Sequence, residues 1–254
     1  MKRKKSEKQR RYVNIFNDLG IDWEAIVDAR DLDREVDFVE GAIARKGTTL
    51  DLCCGTGRHS VALSKRRRNV VGLDLSKNLL KIAKSRMKEA DTVFELVRAD
   101  MRFLPFQDRV FSSILSMFTS FGYLPSESED ALSLLEINRS LARKGRFVLD
   151  LGNRDHMVRG FRERDWAEFG PFYMLERRSL DLRTSTLSSG WTLIRKNSSR
   201  VRSIKHTVRL YTFLRAEQLL NEAGLGINNV YGGYEKQDFT IEASRMIIVA
   251  EKLG

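Results

Sequence analysis

The chain has 254 residues, 42% of them hydrophobic, and only three prolines, enough for one large α/β domain with an insertion and a well-packed core. No run of about eighteen apolar residues occurs, so no membrane span is expected. The basic start, M-K-R-K-K-S-E-K-Q-R-R, lacks the apolar stretch of a secretory signal. The formal charge of +11 is unevenly spread: residues 1–11 hold seven Lys or Arg against one Glu, and residues 195–209 hold six with no acid. The remainder is close to neutral. Such patches either attract nucleic acid or acidic substrates, or are a solvated tail and a solvated sheet face. Cys53 and Cys54 are the only cysteines. Neighbouring cysteines seldom bridge, so they read as reduced small residues in a cytoplasmic protein.

In chain order, Tyr12–Gly20 and Asp22–Arg30 precede a helical pattern over Asp33–Lys46, where Val36, Val39 and Ile43 recur at helical steps before Gly47. A short strand then runs into Leu50-Asp51-Leu52, a glycine turn at Gly55 and Gly57, and a helix to about Arg67. Strand, glycine turn and helix let backbone N–H groups and a helix N-terminus approach a ligand closely. A second strand, Asn69–Asp74, is followed by a helix capped by Ser76. A third, Val93–Ala99, is followed by Asp100, and Phe111–Phe118 reads as a buried fourth. A capping box from Ser126 to Glu129 opens a helix that stops at Gly145, and Arg146–Asp150 is the fifth strand. Within 172–212 no helical stretch occurs, and Trp191–Ile194 and Val201–Tyr211 alternate with a period of two. About three antiparallel strands are expected in this insertion. A helix over 213–223, a strand closed by Tyr231 and a last strand at Met246–Ala250 complete the chain.

Asp51, Asp74 and Asp100 stand at or just past the ends of three successive strands, where open α/β sheets bind ligands. The roughly twenty residues separating the glycine loop from Asp74 match the spacing at which a carboxylate meets the ribose of a nucleoside cofactor. One such acid is ordinary turn chemistry. Three around a glycine loop point to a cofactor site.

From Thr48 to Asp150 this set resembles the class I S-adenosylmethionine-dependent methyltransferases. Their first loop reads roughly D-x-G-x-G-x-G; here it is Asp51-Leu52-Cys53-Cys54-Gly55-Thr56-Gly57, with Cys53 in place of the first glycine. The resemblance implies a seven-stranded Rossmann-like α/β sheet with helices on both faces. It also implies a cofactor, S-adenosylmethionine, and a role for each matching position. Cys53, Gly55, Thr56 and Gly57 let the backbone pass close to the methionine and ribose portions. Asp51 holds the amino group and Asp74 the ribose hydroxyls. Leu75 packs beside the adenine, Asp100 accepts from its exocyclic amine, and the Met101 N–H reaches a ring nitrogen. Met117 lies near the methyl. Arg58 touches the methionine carboxylate or caps its helix, and His59 caps.

The run Ser116-Met117-Phe118-Thr119-Ser120-Phe121-Gly122-Tyr123 lacks the Asn or Asp with prolines of base-amine methyltransferases, and offers no acids for a catechol-type metal site. It resembles the small-molecule N- and O-methyltransferases, whose inserted strands form a lid, so metal-independent transfer to a small molecule is the leading expectation. Substrate-pocket candidates are Tyr12, Tyr123, Arg209 and Tyr211, each with a bland alternative as a packed aromatic or a solvated cation. His206, on the apolar face of its strand, reads as a core histidine rather than a general base. The expected division is a basic tail and helical cap at 1–47, a cofactor core at 48–151 and 213–254, and a lid at 152–212. The alternatives are an RNA or protein methyltransferase docking through the basic stretches, and a non-catalytic binding protein of the same fold. The oligomeric state stays open, a homodimer included.

Overall fold

The computed structural model describes residues 31–254, so the expectations for the basic tail, for the stretches Tyr12–Gly20 and Asp22–Arg30 and for Tyr12 itself lie outside the described residues. A first helix, α1 (Leu32–Ala42), is capped by Asp31 and buries Val36, Phe38 and Val39. It ends four residues before Lys46, because Ile43 turns extended and the Ala44 N–H bonds to Ser113 Oγ at 2.9 Å. The core then alternates as β1 (Thr48–Leu52), α2 (Arg58–Lys65), β2 (Asn69–Asp74), α3 (Lys77–Glu89), β3 (Glu95–Arg98), β4 (Phe111–Ser116), α4 (Glu127–Ser140) and β5 (Leu141–Gly152). Ser76 and Ser126 cap α3 and α4 through the N–H groups of Leu79 and Glu129. Strand β5 begins earlier than Arg146. It continues straight from α4 through an irregularity in its pairing with β4, where Lys144 turns to a positive φ of 56°.

After a short helix, α5 (Arg154–Arg159), the insertion holds four antiparallel strands: β6 (Arg164–Phe169), β7 (Phe172–Asp181), β8 (Thr186–Arg195) and β9 (Val201–Arg209). The strand beyond the expected three is β6, joined to β7 by a tight hairpin at Gly170-Pro171. The chain closes with α6 (Phe213–Glu222), β10 (Leu225–Tyr231) and β11 (Arg245–Lys252).

The large sheet has the order β10-β11-β5-β4-β1-β2-β3, parallel except where β11 runs against both neighbours. Alternate residues of the central strands feed two cores. Leu50, Leu52, Ile114, Phe147 and Leu149 face α4 and α6, while Leu115, Val148, Ile247 and Val249 face α1 and α2. Both faces are covered, which is why these strands read as near-continuous apolar runs. Strands β1 and β4 are neighbours, and the chain leaves them in opposite directions across the sheet. That is a topological switch point, and the crevice beyond its carboxyl ends is where such sheets bind ligands.

Candidate functional site

A cavity, partly open to solvent and holding about 900 Å³ of empty space when the solvent at its mouth is included, sits at that switch point. Three loops line it. The β1–α2 loop brings Asp51, Cys53, Cys54, Gly55, Thr56, Arg58 and His59; the β2–α3 turn brings Asp74, Leu75, Ser76 and Leu79; the segment after β4 brings Met117, Phe118, Thr119, Ser120 and Tyr123.

The first loop is built from left-handed backbone. Cys53, Gly55 and Gly57 have φ values of 60°, 56° and 74°. Cys53 therefore takes the conformation that suits glycine, at a cost of about 1–2 kcal/mol; small size is not all that position asks for. A Cβ on Gly57 would sit 3.0 Å from Ala83 Cβ, so α3 packs directly against the turn. The loop is tied to β2 by the Cys54 N–H to the Leu73 carbonyl and by the Gly55 N–H to Asp74 Oδ2, both 2.9 Å. Asp74 also accepts from the Ser76 N–H at 2.7 Å. Burial nevertheless dominates, and pushes its carboxyl up to about 6. Asp51, held by Ser60 Oγ at 2.6 Å, is raised for the same reason. Both thiols are pushed well up, first by burial and then by the neighbouring carboxylates, which disfavours the thiolate at Cys53 and Cys54.

Arg58 and His59 are buried and share one partner that the sequence did not suggest, Glu35 of α1. Its Oε2 lies 2.5 Å from Arg58 Nη2 and 2.9 Å from His59 Nε2. The acid is recognisable only in hindsight, as a charge on the apolar stripe of α1. Asp100 and Met101 are not in the cavity lining. Asp100 grips Arg102 with both oxygens, at 2.9 and 2.5 Å, while its charge still reaches the Cys53 thiol. Met101 is buried with its sulfur 3.9 Å from Cys53 Sγ.

The segment after β4 is more strained. Phe118 and Thr119 both have positive φ, 59° and 56°, costing of order 1–3 kcal/mol each. Tyr123 is half-buried and its phenol is pushed up to about 12, chiefly by burial. Its ring lies 6.1 Å from that of His206, which in turn packs edge-on against Trp191 at 4.4 Å. Burial lowers His206 to about 4, with Glu176 opposing, so the imidazole is neutral at physiological pH. Arg209 and Tyr211 do not reach the cavity lining. Both bond to Asp130 Oδ2 of α4, Tyr211 at 2.6 Å, and Tyr211 packs on Phe121.

Two buried carboxylates, Asp51 and Asp74, a buried arginine, Arg58, and apolar flanks at Leu75, Leu79 and Met117 thus line one cavity. Residues 49–145 match a family model described as a methyltransferase domain. A demethylmenaquinone methyltransferase of Staphylococcus aureus is 38% identical over 108 residues, 41% of this chain and 43% of that one. A Bacillus subtilis relative is 23% identical over 154 residues and matched over 62% of its length, so the curated relatives are spanned only in part. The CcbJ methyltransferase from Streptomyces caelestis superposes with a TM-score of 0.81, at 17% identity, over 96% of this chain and 98% of that one. CalS10, an amino pentose methyltransferase from Micromonospora echinaspora solved with S-adenosylmethionine, gives 0.67 at 19% identity over 91% and 96%. Fold and matched segment are those of the class I S-adenosylmethionine-dependent methyltransferases.

Proposed function

We propose that this chain transfers a methyl group from S-adenosylmethionine to a nitrogen or oxygen of a small molecule. The observation that carries the reading is one cavity bounded on one side by Asp51, the glycine loop and Asp74, and on the other by Met117–Tyr123. When bound, the cofactor supplies an electrophilic methyl, so the protein's task is mainly in-line orientation. Asp74 accepts from the ribose hydroxyls and Asp51 from the ammonium. Arg58, braced by Glu35, faces the carboxylate. Asp100 and Met101 serve the adenine end from just outside the lining. Tyr123, neutral at physiological pH, orients the acceptor by hydrogen bonding. In this reading residues 48–151 and 213–254 are the cofactor core and 152–212 a lid. A neighbour of the same fold that acts on an amino pentose supports a small polar acceptor.

Calorimetric titration with S-adenosylmethionine tests the first step, with a dissociation constant between about 1 μM and 1 mM expected. Transfer from labelled cofactor to a panel of aminosugars, simple amines and phenols tests the second. No binding heat, or transfer to RNA or protein in preference to the panel, would remove the reading.

A further inference from the structure

Behind the strained turn after β4 lies a buried charge cluster whose side chains, Asp150, Tyr234 and Arg245, are not part of the lining of that cavity. Asp150, fully buried on β5, accepts from the Phe118 N–H at 2.8 Å and the Tyr234 hydroxyl at 2.7 Å through Oδ2. Its Oδ1 accepts from Arg245 Nε at 2.8 Å and Nη2 at 2.5 Å. Its carbonyl takes the Thr119 N–H at 2.8 Å. The Arg245 guanidinium lies 5.9 Å from the Phe118 ring centre. Two consecutive non-glycine residues in the left-handed region persist only where their surroundings over-determine them. Here one carboxylate and its own carbonyl fix both N–H groups. A buried carboxylate needs such compensation, yet Asp150 could be balanced without reaching the turn. Its partners place the turn.

We propose that Asp150 and Arg245, with Tyr234, are positioning residues for methyl transfer: they lock Phe118 and Thr119 left-handed and so fix the cavity wall that faces the acceptor. This rests on the methyltransferase reading, in which the Met117–Tyr123 side receives the acceptor. None of the three lines the cavity. Their loss should therefore spare the glycine loop and Asp74.

The test compares the full chain with Arg245→Lys, Asp150→Asn and the milder Tyr234→Phe. In the free protein, amide exchange over residues 117–121 should quicken by about tenfold or more in Arg245→Lys and Asp150→Asn, with β1 and β2 unchanged. Two probes then divide the cavity. S-adenosylhomocysteine has no group at the methyl position; sinefungin carries an amine there. The first should bind within about twofold of wild type, while sinefungin should weaken by about fivefold or more. Tyr234→Phe should show the same pattern at smaller amplitude, which keeps the test decisive if Asp150→Asn does not fold. Unchanged exchange at 117–121, or equal weakening of both ligands, overturns the proposal. If wild type binds neither ligand, the methyltransferase reading falls and this role in transfer falls with it, whereas binding of both with unaltered variants sinks the positioning role alone.

Discussion

Asp74 does two jobs at the scale of a single residue. It draws the Gly55 N–H onto β2, and it presents a buried carboxylate to the cavity. Its carboxyl is raised from 3.8 to about 6, so the free protein takes up this proton before an unfolded chain would. The charged form is thus a burden on the free fold above pH 6, relieved as the pH falls through 6 towards 3.8. Binding should run the other way, because hydroxyl donors favour the ionised form. For a group near pH 6, the ionised fraction falls about tenfold between pH 7 and pH 5, and S-adenosylmethionine affinity measured by calorimetry should fall with it. Asp74→Asn should flatten that profile and weaken binding about 10- to 100-fold at pH 7, the worth of a hydrogen bond to a charged group. A mutant that keeps the wild-type pH profile would move the titration to another residue. The place of Asp74 beside the glycine loop was legible from spacing alone. That of Glu35 was not, since its pairing with Arg58 spans 23 positions and leaves no local pattern.

The decisive element is the segment joining β4 to α4. Besides its two left-handed residues it contains Gly122, with φ of 97°, whose carbonyl accepts from the Arg209 N–H at 2.8 Å. This contact seats the end of β9 against the core. A Cβ on Gly122 would stand 2.4 Å from the Arg209 carbonyl oxygen, a backbone atom that cannot swing aside. Gly122→Ala should therefore destabilise by about 1–3 kcal/mol from conformation alone. At roughly 2–4 °C per kcal/mol for a chain of this size, thermal melting should drop by several degrees. Gly160→Ala serves as the control: its φ is −98°, and the added Cβ would lie 3.6 Å from the His156 carbonyl oxygen, an ordinary van der Waals contact. Equal melting of the two variants would show that the close approach at Gly122 is not what holds the insertion. Helix starts were readable here because Ser76 and Ser126 cap by side-chain chemistry local in sequence. Strand β6 was not. Arg164, Asp165 and Glu168 give it the composition of a loop, and it survives as an edge strand paired only to β7.

For the molecule as a whole, seven core strands alternating with helices were legible because both faces bury continuous apolar runs, whereas their union in one sheet was implied only by the resemblance of residues 48–150. What residues 201–211 face was a different matter. Arg209 and Tyr211 share a strand parity that pointed away from the apolar side, yet both turn onto Asp130. That buried carboxylate is 79 and 81 positions distant and requires partners. The same long-range pairing bears on the charge of this region. Of its six cations, Lys196 pairs with Glu168, Arg209 with Asp130, and Arg195 lies over the Phe172 ring at 5.7 Å. Arg200 and Lys205 are exposed and make no ion pair among the described residues, so they are the natural phosphate contacts here. Each contact to single-stranded RNA contributes about 0.7 to the slope of log affinity against log salt. Replacing both with Gln should thus lower the slope by no more than about 1.4. A generic RNA oligonucleotide should bind the wild-type chain no more tightly than about 10 μM at 200 mM salt, within the range of non-specific association. Sub-micromolar binding that survives that salt, or a slope that collapses in the double variant, would instead mean that the β6–β9 sheet is a docking surface for a polyanion and that the acceptor is a polymer.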